Sequence, residues 1–420
     1  VTVSAGRITR LAVLAYHSSP LYEPGAGDGG GMTVYVRSLA EGLAKQGVST
    51  DIFTRLAHPG SRVAELSPGV RVIPIEAGPV GSVPKEELPR FVTEFTAGVG
   101  AFALGQRIRY DLVHSHYWQS GLAGASLAGR WKVPLVHSHH TLAKVKNGLL
   151  ASGDRPEPPL RLDGELEVIT AADVMVASTD EECEQLACLY GALHDRLKTI
   201  HPGVDHSRFH PGSREEARAT LGLRDEAVLL YVGRIQPLKG LDLAITSLAH
   251  VVAAVPRKVV LLVVGGASGL EGDRELARAE RLVSDLGLEQ NVRFVDPQPH
   301  VALPAFYRAA DAVVVCSHSE SFGFAALEAH ACGTPVVATA VGGLSFIVRD
   351  GYSGFLMPDR DPARFGERVV ALLSDEALRC SFAKEAEIAS MRFAWDDAAS
   401  QFLELYECLV SEEFTELCTC

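Results

Sequence analysis

The chain lacks a long apolar run: the nearest, Val251 to Gly266, is broken by Pro256, Arg257 and Lys258, so no membrane span is expected. It also lacks a basic surplus. With 52 Asp and Glu against 39 Lys and Arg the formal net charge is −13, which argues against nucleic acid as a partner. No basic segment followed by an apolar core opens the chain; strand-like alternation begins almost at once, and a cytoplasmic protein is the expectation. The eight cysteines include no pair at the two-residue spacing of a zinc knuckle or redox motif, and Cys418-Thr-Cys420 reads as a frayed tail.

What is present is enough for two cores. A chain of 420 residues, 47% hydrophobic and 22% charged, is long enough for two domains and too apolar to be disordered. Short β-branched runs recur with helical periodicity between them, at Ile8–Tyr16, Thr50–Arg55, Val70–Ile75, Tyr110–His116, Val133–His139, Ala172–Thr179 and Leu197–His201. That alternation predicts a doubly wound parallel sheet. The stretch Ile200 to Pro211, with two Pro and a Gly among polar residues, reads as a linker. The pattern then restarts at Ala227–Gly233, Val259–Gly266, Asn291–Asp296, Ala310–Ser317 and Pro335–Thr339. The expected α/β organisation is two Rossmann-like domains, 1–203 and 204–396, and a last helix that begins near Asp396.

Three loops carry the chemistry. The first is the glycine run Gly25 to Gly31 between a strand and a helix, where backbone N–H groups can approach an anion; its spacing fits neither a Walker loop nor a dinucleotide fingerprint. In the second, Arg234 and Lys239 follow the buried strand Val228 to Val232, and strand carboxyl ends are where open α/β sheets bind ligands. Arg offers a planar fork to phosphate oxygens and Lys a mobile charge, though a lone cation on a loop is ordinarily solvated surface. The third is Ser317 to Ser345: Glu320 sits on a strand-to-helix loop, Gly323 opens the helix, and Glu328 lies within its first two turns. Two carboxylates beside a helix N-terminus suit a ligand that is both phosphorylated and rich in hydroxyls. Asp359-Arg-Asp361 has the form of a divalent-ion motif, but before a helix it reads as a turn and N-cap, so no metal and no cofactor is expected.

Glu320 and Glu328 with seven residues between, Gly-Arg234-x5-Lys239-Gly upstream, and Gly-Thr-Pro-Val-Val-Ala-Thr downstream resemble the signature of the retaining glycosyltransferases of family 4, which have the GT-B fold. The resemblance implies two Rossmann-like domains facing across a cleft, with the C-terminal helix (397–420) packing back on the first. It implies a sugar nucleotide, UDP- or GDP-linked, as substrate. Arg234 and Lys239 would neutralise the leaving diphosphate, Glu320 would contact the transferred sugar, and Glu328 would hold the ribose hydroxyls. Gly30, Gly31, Phe322, Gly323 and Gln298 would complete the donor site. His140, in Val136-His-Ser-His-His-Thr141, matches the family histidine that contacts the transferred sugar. Attack from the front face, with a donor phosphate oxygen taking the acceptor proton, would need no enzyme nucleophile.

The acceptor side resembles a narrower branch of that family, whose members act on inositol phosphate for mycothiol biosynthesis. Gly-Asp28-Gly-Gly-Gly-Met, Lys85-Glu-Glu-Leu-Pro, His114-Ser-His-Tyr117-Trp, His140-Thr141-Leu-Ala-Lys-Val-Lys-Asn and Arg161 carry the resemblance. It implies that Lys85, Tyr117, Thr141 and Arg161 clasp an acceptor phosphate; two cations and two hydroxyls suit that task on chemistry alone. His17 and Asp28 are further candidates. The branch has Asn after Gly-Gly-Met, whereas this chain has Thr33. Three readings follow: N-acetylglucosamine transfer to inositol phosphate, transfer to a natural-product or thiol acceptor in an antibiotic pathway, and a catalytically silent sugar-nucleotide-binding protein. Expected partners are small molecules only, with a homodimer left open.

Overall fold

The structure, a computed structural model, describes residues 7–23, 25, 29–81, 83–151, 155–268 and 271–411, so Asp28, Cys418 and Cys420 lie outside the described residues. β-branched apolar runs form two sheets. The first contains Arg10–Leu14 (β1), Ser49–Arg55 (β2), Ala64–Ser67 (β3), Val70–Ile75 (β4), Leu112–His116 (β5), Leu135–Ser138 (β6), Val174–Ala177 (β7) and Leu197–Thr199 (β8). Their order is β3-β4-β2-β1-β5-β6-β7-β8. The second contains Ala227–Val232 (β9), Val259–Val264 (β10), Val292–Val295 (β11), Ala312–Val315 (β12), Val336–Thr339 (β13) and Gly354–Met357 (β14), ordered β11-β10-β9-β12-β13-β14. Each sheet reverses its winding beside its first strand, at β1/β5 and β9/β12, which puts a ligand crevice at the carboxyl ends there.

Two strands depart from the sequence reading. β3 pairs antiparallel with β4, so the first sheet is mixed rather than wholly parallel. Ser67-Pro-Gly-Val70 closes a tight hairpin there, and the half-exposed edge strand shows little apolar alternation. β14 pairs parallel with β13, where the sequence suggested only a lead-in to a turn. Both are edge strands of four residues, which need little hydrophobic content.

Each sheet is covered on both faces, one pair of apolar clusters per lobe. The chain crosses between the lobes twice, side by side: Val204 bridges Ala394, and its N–H donates to the Phe393 carbonyl at 3.1 Å. After the second crossing the helix Trp395–Val410 returns to the first lobe, where the rings of Trp395 and Phe402 meet Tyr35 at 5.5 and 6.4 Å. The Tyr406 hydroxyl reaches His114 Nδ1 at 2.7 Å. Phe402 and Tyr406 are completely buried, and burial of a side chain of this size contributes roughly 1.5–3 kcal/mol. No helix among the described residues is long and apolar enough to cross a membrane.

Candidate active site

The wall where the donor is expected, the donor wall, is built from loops that leave β9, β12 and β1. After β9 the chain passes Arg234, makes a single turn at Pro237–Lys239, and enters a helix through Gly240. Lys239 Nζ lies 2.6 Å from Glu320 Oε2, which also accepts the Ser317 hydroxyl at 3.1 Å. The backbone ties the same loops together: His318 N–H donates to Leu238 O at 2.8 Å, and Gly343 N–H to Glu320 O at 3.0 Å. Gly323 begins the helix Phe324–Ala331 at φ +106°, and a Cβ there would lie 2.9 Å from Leu344 Cδ2, so both backbone and space demand glycine.

Glu328 is 5% exposed and is held from two sides. His300 Nε2 lies 2.7 Å from one carboxylate oxygen and the Tyr307 hydroxyl donates to the other at 2.8 Å. Each oxygen keeps a lone pair for a ligand hydroxyl. Across the cleft the helix Gly31–Lys45 points its N-terminus at this wall: a Cβ on Gly31 would lie 3.0 Å from the Phe324 ring, and one on Gly30 would lie 3.4 Å from the Arg234 guanidinium. Gly30, Gly31, Arg234, Lys239, Gln298, His300, Glu320, Gly323 and Glu328 line one cavity. Phe322 does not line it. Its ring is buried in the core against Phe324 and Phe393, and only its backbone stands near the loop.

The other wall, where the acceptor is expected and so called the acceptor wall, gathers residues from well-separated places in the chain. The Tyr117 ring is the centre: Lys85 Nζ lies 4.7 Å and the Arg161 guanidinium 4.9 Å from its centroid, and His17 stacks obliquely at 4.4 Å. Arg161 Nη2 donates to Thr141 Oγ1 and to the Thr141 carbonyl, both at 2.9 Å. Five of the six expected acceptor residues are thus brought together. Thr33 is not among them: it is 2% exposed, and its hydroxyl accepts from Gly30 N–H at 3.3 Å and meets Ser18 Oγ at 3.1 Å. Tyr117 and His140 both have left-handed backbones, φ +72° and +61°, and so does neither neighbour of either residue. Such strain in bulky residues persists only where the surroundings enforce it.

Histidines pack behind this wall. His140 Nε2 is 2.9 Å from His116 Nδ1, Ser115 Oγ is 2.8 Å from His137 Nδ1, and His114 Nε2 is 3.0 Å from Ser138 Oγ. Burial pushes His114, His139 and His140 down to about 3, and His17, His116 and His137 also lie well below the usual imidazole range. The His140 ring is therefore neutral.

Residues with no motif of their own also face the cleft. Thr141, Lys146, Glu182, Arg234, Lys239 and Glu320 share a second cavity that joins the two walls. Burial holds the Glu182 carboxyl up at about 7. The sequence signal for it is the Thr-x-x-Glu form of a helix start: Thr179 Oγ1 accepts from Glu182 N–H, while Glu182 accepts from Ser178 N–H at 2.8 Å, one residue ahead of the N-cap. His300 and Tyr307 left no such signal. Asp361 caps the helix Pro362–Ser374 and Asp359 pairs with Arg364.

A two-lobed α/β molecule with cations, carboxylates and a helix N-terminus around one cleft is of the sugar-nucleotide transferase class. Residues 30–203 match the Glycosyl transferase 4-like domain and residues 213–388 match Glycosyl transferases group 1. Sucrose-phosphate synthase from Thermosynechococcus elongatus superposes with a TM-score of 0.89 at 32% identity, covering 96% of this chain and 99% of that one. The chain belongs to the family 4-type GT-B glycosyltransferases, retaining enzymes that transfer a sugar from a nucleotide donor to a small acceptor.

Within that family it is 46% identical to the D-inositol 3-phosphate glycosyltransferase of Acidothermus cellulolyticus over 97% of this chain and 92% of that protein. It is equally similar, at 46% over 97% of this chain and 98% of the other, to D-inositol 3-phosphate glycosyltransferase 2 of Catenulispora acidiphila.

Proposed function

We propose that this enzyme transfers N-acetylglucosamine from UDP-N-acetylglucosamine to 1D-myo-inositol 3-phosphate, the first glycosyl step of a mycothiol-type pathway in the cytoplasm. The observation that carries this reading is the convergence of Lys85, Tyr117, Thr141 and Arg161 on one point of the acceptor wall. The first lobe (1–203, with the returning helix) binds the acceptor and the second (204–396) the donor. Arg234 and Lys239 stabilise charge as it builds on the leaving diphosphate, the contribution that dominates transfer of this kind. Glu328, aimed by His300 and Tyr307, accepts the ribose hydroxyls, and Glu320, held by Lys239 and Ser317, takes the hydroxyls of the transferred sugar. Neutral His140 offers the sugar a hydrogen bond without adding charge. Two protein cations serve the diphosphate, so turnover should persist in excess EDTA.

A second reading, a natural-product or thiol acceptor, is favoured by Thr33, whose hydroxyl is committed inside the protein. A panel of inositol 3-phosphate, inositol and small polar thiols with UDP- and GDP-sugars separates the two. Inositol 3-phosphate should be turned over far better than inositol, because charge-assisted hydrogen bonds contribute roughly 1.5–3 kcal/mol each. No turnover of inositol 3-phosphate with any UDP-sugar would overturn the first reading.

A further inference from the structure

The cations of the acceptor wall already hold an anion. The Glu157 carboxylate pairs with Lys146 through one oxygen and lies 3.0 Å from Arg161 Nη1 through the other. Burial would raise its pKa, but the charges of Arg161 and Lys146, with Lys85 beyond them, outweigh this and hold it at about 2. The carboxylate is therefore charged at any working pH.

The commitments of Arg161 show why this matters. The residue is 1% exposed; Nε is bonded to Glu165 Oε1 at 2.7 Å, and Nη2 serves both oxygens of Thr141. Nη1 is the fork position that faces Glu157. Glu165 cannot yield: it is fully buried, accepts from Ala143 N–H, and takes the Tyr190 hydroxyl as well. Glu157 has more freedom. Its side chain is 14% exposed, against none for Glu165, and it stands ahead of the helix Pro159–Ala171 rather than within it.

We propose that Glu157 is an internal counter-anion of the acceptor site, exchanged for the acceptor's phosphate on binding, and that Lys146 joins Lys85 and Arg161 as a phosphate ligand once Glu157 has left. The inference rests on the phosphate-clasp reading of Lys85, Tyr117, Thr141 and Arg161. Exchange favours one class of acceptor. A phosphate carries about −1.5 to −2 charge and three acceptor oxygens, so it can replace one carboxylate and leave Arg161 and Lys146 better satisfied. A neutral polyol cannot: displacing Glu157 for it would leave Lys146 without its carboxylate and Arg161 with Glu165 alone. Glu157 thus deepens discrimination against unphosphorylated acceptors without touching the reacting atoms.

The test compares the full-length wild type with Glu157→Gln and Glu157→Ala, using inorganic phosphate as the probe. Calorimetry should show phosphate binding both variants at least ~10-fold more tightly than wild type, a difference of about 1.4 kcal/mol. Phosphate should also raise the melting temperature of the variants more than that of the wild type. With inositol 3-phosphate, KM should fall in Glu157→Gln by a larger factor than kcat changes; a purely structural role would lower stability and kcat together. Phosphate affinity that is unchanged or weaker in both variants overturns the proposal. If neither variant folds alone, refolding rescued by added phosphate supports it and failure of rescue overturns it. Tighter phosphate binding with no turnover of inositol 3-phosphate by any form would retire the proposed acceptor and leave the counter-anion standing. Wild-type turnover with no phosphate response in the variants would do the reverse.

Discussion

The donor wall holds its working groups as charged pairs on short loops, whereas the acceptor wall sets one aromatic ring between cations in front of a bank of neutral imidazoles. On the donor side Lys239 and Glu320 meet at 2.6 Å, and Glu328 is gripped by His300 and Tyr307. On the acceptor side His17, His114, His116, His137, His139 and His140 all lie below the usual imidazole range; in the second lobe burial holds His330 down at about 4. A diphosphate leaving group needs fixed positive charge. An acceptor that approaches a neutral hydroxyl to a cationic centre needs neighbours that do not compete for its proton. On the proposed function the two walls differ because their ligands differ.

The largest expected effect belongs to the donor wall. Arg234→Ala and Lys239→Ala should each cut turnover by ~10²–10³, the usual cost of one charge-stabilising donor, with the circular-dichroism spectrum unchanged. Near-wild-type rates in either variant would erase the contrast between the walls. Second is acid stability, which should divide the lobes. The unfolded chain takes up protons near pH 6.5 while the folded imidazoles stay neutral, so stability present above that pH is lost as pH falls toward 3, by about 1.4 kcal/mol per pH unit for each such histidine. Glu182 acts the other way: its folded pKa of about 7 lies above the carboxylate's ordinary value of 4.5, so its contribution is lost as pH rises between the two. Denaturant midpoints between pH 4 and 8 with His114→Asn should show a shallower acid limb; an unchanged limb would count against the histidine bank as its cause. The smallest effect is at Thr33. Thr33→Val removes a hydroxyl bonded to Gly30 and Ser18 and should cost about 1 kcal/mol of stability, with nucleotide affinity altered only a few-fold. A loss of acceptor binding far beyond that would return Thr33 to the acceptor contacts.

The walls also differ in how far the sequence discloses them. Arg234 and Lys239 fall within one loop, and Glu320 and Glu328 within one loop and the helix that follows it, so spacing alone places each pair together after a buried strand. The acceptor residues come from Lys85 to Arg161 on separate elements, and only their resemblance to a family suggests that they meet. His300 and Tyr307 escape because a residue that aims another needs no fixed spacing to it. Phe322 misleads because the ring within the Ser-Phe-Gly frame packs against Phe324 and Phe393, in the core rather than in the cleft. The strands were legible wherever both faces are buried; β3 and β14, edge strands of four residues with partly exposed side chains, were not, although the edge strands β8 and β11 were.

The returning helix has a consequence for the order in which this chain can fold during synthesis. Trp395, Phe402 and Tyr406 fill the core beside Tyr35 and supply the partner of His114, yet they leave the ribosome after the whole second lobe. At roughly 5–20 residues per second, about 10–40 s separate Ile200 from Trp395. During that interval the first-made lobe carries an open apolar seam and a His114 ring without its Nδ1 partner, and it is most exposed then to chaperones and proteases. A fragment ending at Gly203 would remain in that state, so a truncated first lobe should bind hydrophobic dyes and resist proteolysis only when a peptide spanning Trp395–Val410 is added.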